Sequence, residues 1–277
     1  MGVSIGRLFG CRPASSRLPV HSIVLLFLGT VLLSPCTAQQ SPRRDPSAIA
    51  FLSQAVSAAG GTTNLSAIQD YAASGTITHY WDSKAEEGQV TVKARGLTQF
   101  RLDSNISEGT WSFIVNNGSG RLVVPSGKVT QIAGHNSLNV GSLTWPILAV
   151  NLALLDETTT VIDKGLVQLG NERVREIHVQ KNFKTDPNGI LSKLTQKNYW
   201  FDASTLVLVR VEDQRHPDND ALHGALTHTL DFRDFHTVDG ALVPFSVVEK
   251  VADQETWKIQ LATMSLNAGL SDSDFQF

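Results

Sequence analysis

Two spacings of apolar residues divide the chain. Between 46 and 59, Ile49, Leu52, Val56 and Ala59 recur at helical intervals with Phe51 and Ala55 beside them, which predicts a helix with one apolar face. Asp45 is placed as its N-cap, Pro46 falls in the first turn where a missing amide costs nothing, and Gly60-Gly61 ends it. From Tyr71 the period drops to two. Residues 71–81 and 89–94 read as the arms of a hairpin joined by the polar stretch 82–88, and 98–103 pairs with 110–116. In the last of these, Trp111, Phe113 and Val115 share one face while Ser112 and Asn116 take the other. Asn117-Gly118-Ser119-Gly120 marks a turn, from which 121–124 returns. Alternating runs follow at 158–169, 174–181, 196–201, 206–212, 225–235, 242–251 and 256–264. Leu226, His228, Leu230 and Phe232 oppose Thr227, Thr229, Asp231 and Arg233; Trp257, Ile259 and Leu261 oppose Lys258 and Gln260.

One segment departs from this alternation. Residues 145–155 have Thr144 as a possible cap, Pro146 near the start and only Asn151 as a polar side chain. A helix that is apolar on nearly every side is expected to be buried on nearly every side, and this one is too short to cross a membrane. The strands follow one another without a repeat or a second domain boundary. The fold class expected is therefore α+β: one domain over 46–277, a large curved antiparallel sheet forming an unclosed β-barrel with one or two lid helices.

The N-terminal stretch has a different character. Arg7, Arg12 and Arg17 precede an apolar run from Ile23 to Leu33, and no acidic residue occurs before Asp45. The run is too short for a permanent anchor and ends at Cys36-Thr37-Ala38, two small residues at the positions a signal peptidase reads. Residues 1–38 are accordingly expected to be a secretory signal peptide and 39–45 a short polar linker. A rival reading takes Cys36 as a lipidated cysteine, against which Pro35 stands immediately before it. The product is an exported, periplasmic protein, or a membrane-attached one if Cys36 is acylated. Both cysteines, Cys11 and Cys36, lie in the leader, so what folds has no thiol for a disulfide, a zinc-thiolate site or a nucleophile. Removing the three arginines makes the net charge of −3 more negative, which argues against nucleic acid as a partner.

Candidate chemistry is sparse. The Asn117–Gly120 turn lacks the glycine that a nucleophile elbow needs two residues before its serine, and there is no H-E-x-x-H, Walker loop or dinucleotide fingerprint. His216, His223 and His228, with Asp218 and Asp220, could be argued into a metal-dependent hydrolase, but their spacing matches no compact ligand pattern. Residues 213–224 read more simply as a solvated hairpin loop, and His228 as a core histidine with its hydrogen bonds satisfied. Asp231 with Asp234, and Asp272 with Asp274, read as an exposed strand face and a polar tail rather than as catalytic pairs. No catalytic residue, metal or cofactor is expected.

The C-terminal half resembles a known family. Tyr199-Trp200-Phe201-Asp202-Ala203-Ser204-Thr205 leading into Leu208-Val209-Arg210-Val211-Glu212 is similar to a hairpin of the periplasmic outer-membrane lipoprotein carrier and lipoprotein-sorting proteins, the LolA/LolB-like fold. Asp231-Phe232-Arg233-Asp234-Phe235 with Val238 to Phe245 resembles their next hairpin, and Leu266 to Phe275 their closing "L-N-x-x-L-x-D-x-x-F" tail. The resemblance implies an unclosed barrel, a helical lid, and non-enzymatic carriage or sensing of lipid-modified proteins and other amphiphiles. A curved sheet of this size cannot fill its concave side alone, and an apolar helix is a fitting cover for a hydrophobic cavity. The residues expected to line it are Trp111, Phe113, Val115, Ile147, Leu148, Leu230, Phe232, Phe245 and Trp257. The expected partner is a lipid or a lipidated protein; the alternative is an envelope protein bound by the outer sheet face.

Overall fold

A computed structural model describes residues 42–81, 84–132, 134–138, 140–186, 188–216 and 225–277. The expected leader lies outside the described residues. Helices α1 (Pro46–Ala58) and α2 (Thr62–Ala67) precede six strands: β1 (Asp70–Trp81), β2 (Lys84–Arg95), β3 (Gln99–Ile106), β4 (Gly109–Asn116), β5 (Ser119–Val123) and β6 (Val129–Ile132). After α3 (Gly134–Ser137) and α4 (Ile147–Leu155) come β7 (Thr159–Leu169), β8 (Glu172–Lys181), α5 (Ile190–Leu194), β9 (Lys197–Asp202), β10 (Leu208–Arg215), β11 (Leu226–Val238), β12 (Ala241–Val251) and β13 (Gln254–Leu266). A 3₁₀ turn, Asp272–Phe275, closes the chain.

All thirteen strands form one antiparallel sheet in the order β6-β5-β4-β3-β2-β1-β13-β12-β11-β10-β9-β8-β7. It consists of two meanders joined where the first strand pairs with the last, from Tyr71↔Leu266 to His79↔Trp257. Gly75 sits at a bulge in that seam, where an added Cβ would lie 2.1 Å from the Gln260 carbonyl oxygen, so only glycine lets the two strands approach. The free edges are β6 and β7, and the chain running from one to the other carries α3 and α4. One core gathers Phe100 and Val115 from near the first edge, Val161 and Ile177 from the second, and Leu52, Val56 and Val150 from the helices. Residues from opposite ends of the sheet thus share a core with α1 and α4, which makes the sheet a curved, unclosed barrel.

The short stretch before α1 is ordered by β7. Arg44 forms a parallel bridge with Val161, whose carbonyl accepts from the Asp45 amide at 2.9 Å and whose amide donates to the Arg43 carbonyl at 2.8 Å. That covers part of an edge strand that would otherwise expose unpaired backbone groups. From the same place the Arg44 guanidinium donates to the carbonyls of Ala153, Leu154, Asp156 and Thr159 at 2.8–3.0 Å. These include the orphan carbonyls at the C-terminus of α4, where a cation also meets the negative end of the helix dipole.

The helix α4 differs from the expectation in one respect. Ile147, Leu148, Val150, Asn151 and Ala153 are buried, but Leu152 is 47% and Leu155 57% exposed. The helix bridges the gap between two free sheet edges rather than filling a closed barrel, so one side of it stays open. The first hairpin is also longer than its polar residues suggest, since Lys84–Gly88 belong to β2. The four-residue β6 and the short helices α2, α5 and α3 carry too little periodicity to be read from sequence.

The three family-like motifs have structural roles on the outer face. Asp202 accepts at one carboxylate oxygen from the amides and hydroxyls of Ser204 and Thr205, fixing the β9–β10 turn. Arg210 of that hairpin makes a bidentate pair with Asp231 of the next at 2.6 and 2.9 Å and lies over the Trp200 ring. In the tail, the Gly269 and Leu270 amides donate to the Asp70 carboxylate, Asp272 pairs with Arg95 and Asp274 with Lys93, and Phe275 is fully buried. The tail thereby staples the ends of β1, β2 and β3.

Candidate ligand-binding site

Period-two alternation sends His79 and Trp81 of β1, Leu102 and Ser104 of β3, Trp111 and Phe113 of β4, Glu249 and Val251 of β12, and Trp257 of β13 to the concave face. Together with Leu122, Ile132, Asn136, Leu143, Arg215 and Thr256 they surround a cavity of about 690 Å³. Its aromatic wall is continuous: Trp81 lies 5.4 Å from Trp111 and is stacked on His79 at 5.4 Å between centroids. The Trp111 indole N–H is buried without a hydrogen-bond partner among the described residues. A second concavity of about 520 Å³ lies beside α4, with the exposed Leu152 and Leu155, Leu138, Tyr199 and Phe183 among its lining. Gly141 lies where an added Cβ would come within 2.0 Å of the Leu97 carbonyl oxygen, so the strap carrying α3 is pressed against the β2–β3 turn beside this space.

The larger cavity meets charge at Glu249 and Arg215, and a buried cluster continues from Glu249 along the inner face. On the facing positions of β9, β10, β11 and β12 stand Lys197, Asp213, His228 and Glu249. The Asp213 carboxylate meets His228 Nδ1 at 2.6 Å and Lys197 Nζ at 3.1 Å. His228 Nε2 faces Glu249 Oε1 at 3.0 Å, and the other Glu249 oxygen accepts from the Thr256 hydroxyl. Carboxylates only accept, so both imidazole bonds form together when each ring nitrogen carries a proton. Burial disfavours the charged forms of Asp213 and Glu249, yet Lys197 and the His228 bond hold Asp213 far below the usual carboxylate range, and His228 and Thr256 hold Glu249 below it. Burial pulls Lys197 below its ordinary value against the opposing pull of Asp213. It lowers His79 as well, whose Nε2 sits 3.1 Å from the Ser104 hydroxyl.

The α3 segment is clasped over this charged end. Asn136 donates from its side-chain amide to the His216 carbonyl at 2.8 Å and accepts from the His216 amide at 3.3 Å, while the Arg215 guanidinium donates to the Asn136 carbonyl at 3.2 Å. The strap is held at its other end as well: Trp145 Nε1 donates to the Leu242 carbonyl at 2.9 Å, and the Tyr71 hydroxyl meets Thr144 at 2.8 Å.

The nine residues expected to line a cavity fall into different places. Trp111, Phe113 and Trp257 line the large one. Val115 and Leu230 are buried in the core. Ile147 and Phe232 border a narrow crevice beside Trp145, Leu148 a small cleft near Tyr71, and Phe245 lies 4.4 Å from the His236 ring, tilted by 40°. Sequence reasoning missed Trp81, Leu102 and Leu122 in the wall and the whole charged end. The signal for the latter was present: extending the alternation of β10 past Glu212 places Asp213 and Arg215 inward with Val211. Asp213 is therefore a core residue of β10, not part of a solvated loop. His228 is the satisfied core histidine expected, and its ring is taken by two carboxylates. His216 lies at the end of β10 and His223 is outside the described residues. Among the described residues no group of three histidine, cysteine or acidic side chains is arranged to hold a metal ion. No described helix is long and apolar enough to cross a membrane.

No protein-family model matches the chain, and no curated protein matches it in sequence. Solved structures do match in fold. A putative outer membrane lipoprotein-sorting protein domain from Vibrio parahaemolyticus superposes with a TM-score of 0.51 at 11% identity, over 83% of this chain and 96% of the other. A LolA superfamily protein from Nitrosomonas europaea gives 0.52 at 10% identity over 83% and 98%. A DUF1329 family protein from Desulfovibrio piger gives 0.53 at 12% over 84% and 98%. The fold is LolA-like.

Proposed function

We propose that this protein is an exported, non-enzymatic binder of acyl-chain amphiphiles, a lipid or the lipid moiety of a lipidated protein, which it holds in the aromatic-walled cavity in the cell envelope. The observation that carries the reading is the cavity of about 690 Å³ between Trp81, Trp111, Phe113 and Trp257, which the chain's own side chains leave unfilled. Its volume lies in the range of small-molecule sites, and a wall of tryptophan and leucine suits a methylene chain. Each methylene moved from water into such a wall contributes ~0.8 kcal/mol. The LolA-like fold and the leader-like sequence 1–38 support a role outside the cytoplasm, in transport or sorting of lipidated cargo.

Native mass spectrometry of protein purified without detergent tests this. The expected spectrum contains a population carrying a mass that organic extraction releases as an acyl lipid, and the Trp111→Ala with Trp257→Ala double variant loses it. Protein that is ligand-free and takes up no added phospholipid or fatty acid contradicts the reading.

A further inference from the structure

We infer that the ligand of this cavity carries an anionic headgroup, a carboxylate or a phosphate, and that Arg215 receives it. The inference rests on the proposed acyl-binding role and names the class of amphiphile within it.

The argument is one of charge pairing at the polar end. Asp213 has one oxygen on His228 and the other on Lys197, and Glu249 has one on His228 and the other on Thr256. Both carboxylates are thus taken at both oxygens. Lys197 and the two ring nitrogens of His228 thus occupy three of these four oxygens, and the Thr256 hydroxyl the fourth. Arg215 stands outside this hydrogen-bonded set: its Nε lies 4.0 Å from the nearest Asp213 oxygen, and among the described residues its guanidinium donates to the neutral Asn136 carbonyl. Among the described residues the other charged groups near this end are engaged elsewhere or disfavoured as charges. Glu86 on β2, three strands from β12, is held by Ser107 and paired with Lys84, and burial lowers the pKa of His79. Arg215 lines the cavity with a side chain that is 21% exposed, opposite a wall made of tryptophan and leucine. A guanidinium presents several N–H donors in one plane and no acceptor, a geometry that suits the two oxygens of a carboxylate or phosphate. The arrangement suits an amphiphile: an anion at Arg215, which Asn136 adjoins, and the chain along Trp81 and Trp111.

The test compares ligands of one chain length against delipidated full-length protein, read as quenching of tryptophan fluorescence and as bound mass. Palmitate and 1-palmitoyl-lysophosphatidate carry the anion; 1-palmitoylglycerol carries the same chain with a neutral head. At least one anionic ligand is expected to bind tenfold or more tightly than 1-palmitoylglycerol. Which of the two does so separates a carboxylate from a phosphate as the natural head. Arg215→Met should cost the anionic ligand its tenfold advantage over 1-palmitoylglycerol, and Arg215→Lys should retain part of it. Equal binding of neutral and anionic ligands by the wild type overturns the inference without touching the acyl-binding reading, and needs no variant to fold. Equal loss for all ligands in a folded Arg215→Met does the same. Failure of all three to bind overturns both.

Discussion

Asp213 and His228 stand directly opposite each other on neighbouring strands β10 and β11, and the carboxylate accepts from the imidazole at 2.6 Å inside the barrel. Each has a second partner, Lys197 for the aspartate and Glu249 for the histidine. Four ionisable side chains are thereby held on the concave wall, where an isolated charge would be costly and a paired one is tolerated.

Removing one member should therefore cost far more than breaking a surface pair. Asp213→Asn leaves Lys197 and His228 facing a neutral amide in a buried site, for a loss of about 3–5 kcal/mol. Glu172→Gln, which breaks the exposed pair with Arg233, should cost about 1 kcal/mol or less. Urea unfolding of the two variants, with the midpoint and the slope compared to wild type, measures the contrast.

Asp202 gives a pH signature. The Ser204 hydroxyl and the Thr205 amide hold its carboxyl at about 2 in the folded protein, against about 3.9 for an aspartate in an unfolded chain. A carboxyl whose pKa is depressed by folding contributes stability that is fully present above the unfolded value and is lost as pH falls through the folded one. The stability of wild-type protein should thus fall between about pH 4 and pH 2. Asp202→Asn keeps a side-chain acceptor in the turn but does not titrate, so its profile should be shallower over that window. Thermal melts of both proteins at a series of pH values read the difference.

Arg44 ties the segment before the first helix to the end of the lid. Arg44→Gln removes donors from four carbonyls, with an expected loss of about 2 kcal/mol or more. The loss should be local first. Amides of Ile147–Leu155 should exchange hydrogen faster than in wild type while those of β11 and β12 are unchanged, as hydrogen-exchange mass spectrometry would record.

The order and period of the strands were legible because each lies half-buried, with apolar residues inward and polar ones outward. The single-domain curved sheet and the apolar helix over it followed from that. What was not legible depends on pairing across the sheet. Nothing in the spacing of Trp81, Trp111 and Trp257 says that β1 pairs with β13 and brings them to one wall. Asp213 reads as a loop residue because charged side chains are normally solvated; the neighbouring His228 and Lys197 make its burial possible. Arg44 likewise looked like a linker residue, since its partners lie more than a hundred positions away. The apolar helix was expected to be enclosed, but a sheet with two free edges leaves Leu152 and Leu155 facing open space.

The most direct measurement is a crystal structure of the protein grown with palmitate brominated at its terminal carbon, with bromine located by anomalous scattering. The account predicts the bromine between Trp81, Trp111 and Trp257 and the carboxylate at Arg215. Bromine found only beside Leu152 and Leu155, or no bound chain in a cavity closed by rearranged side chains, would contradict it.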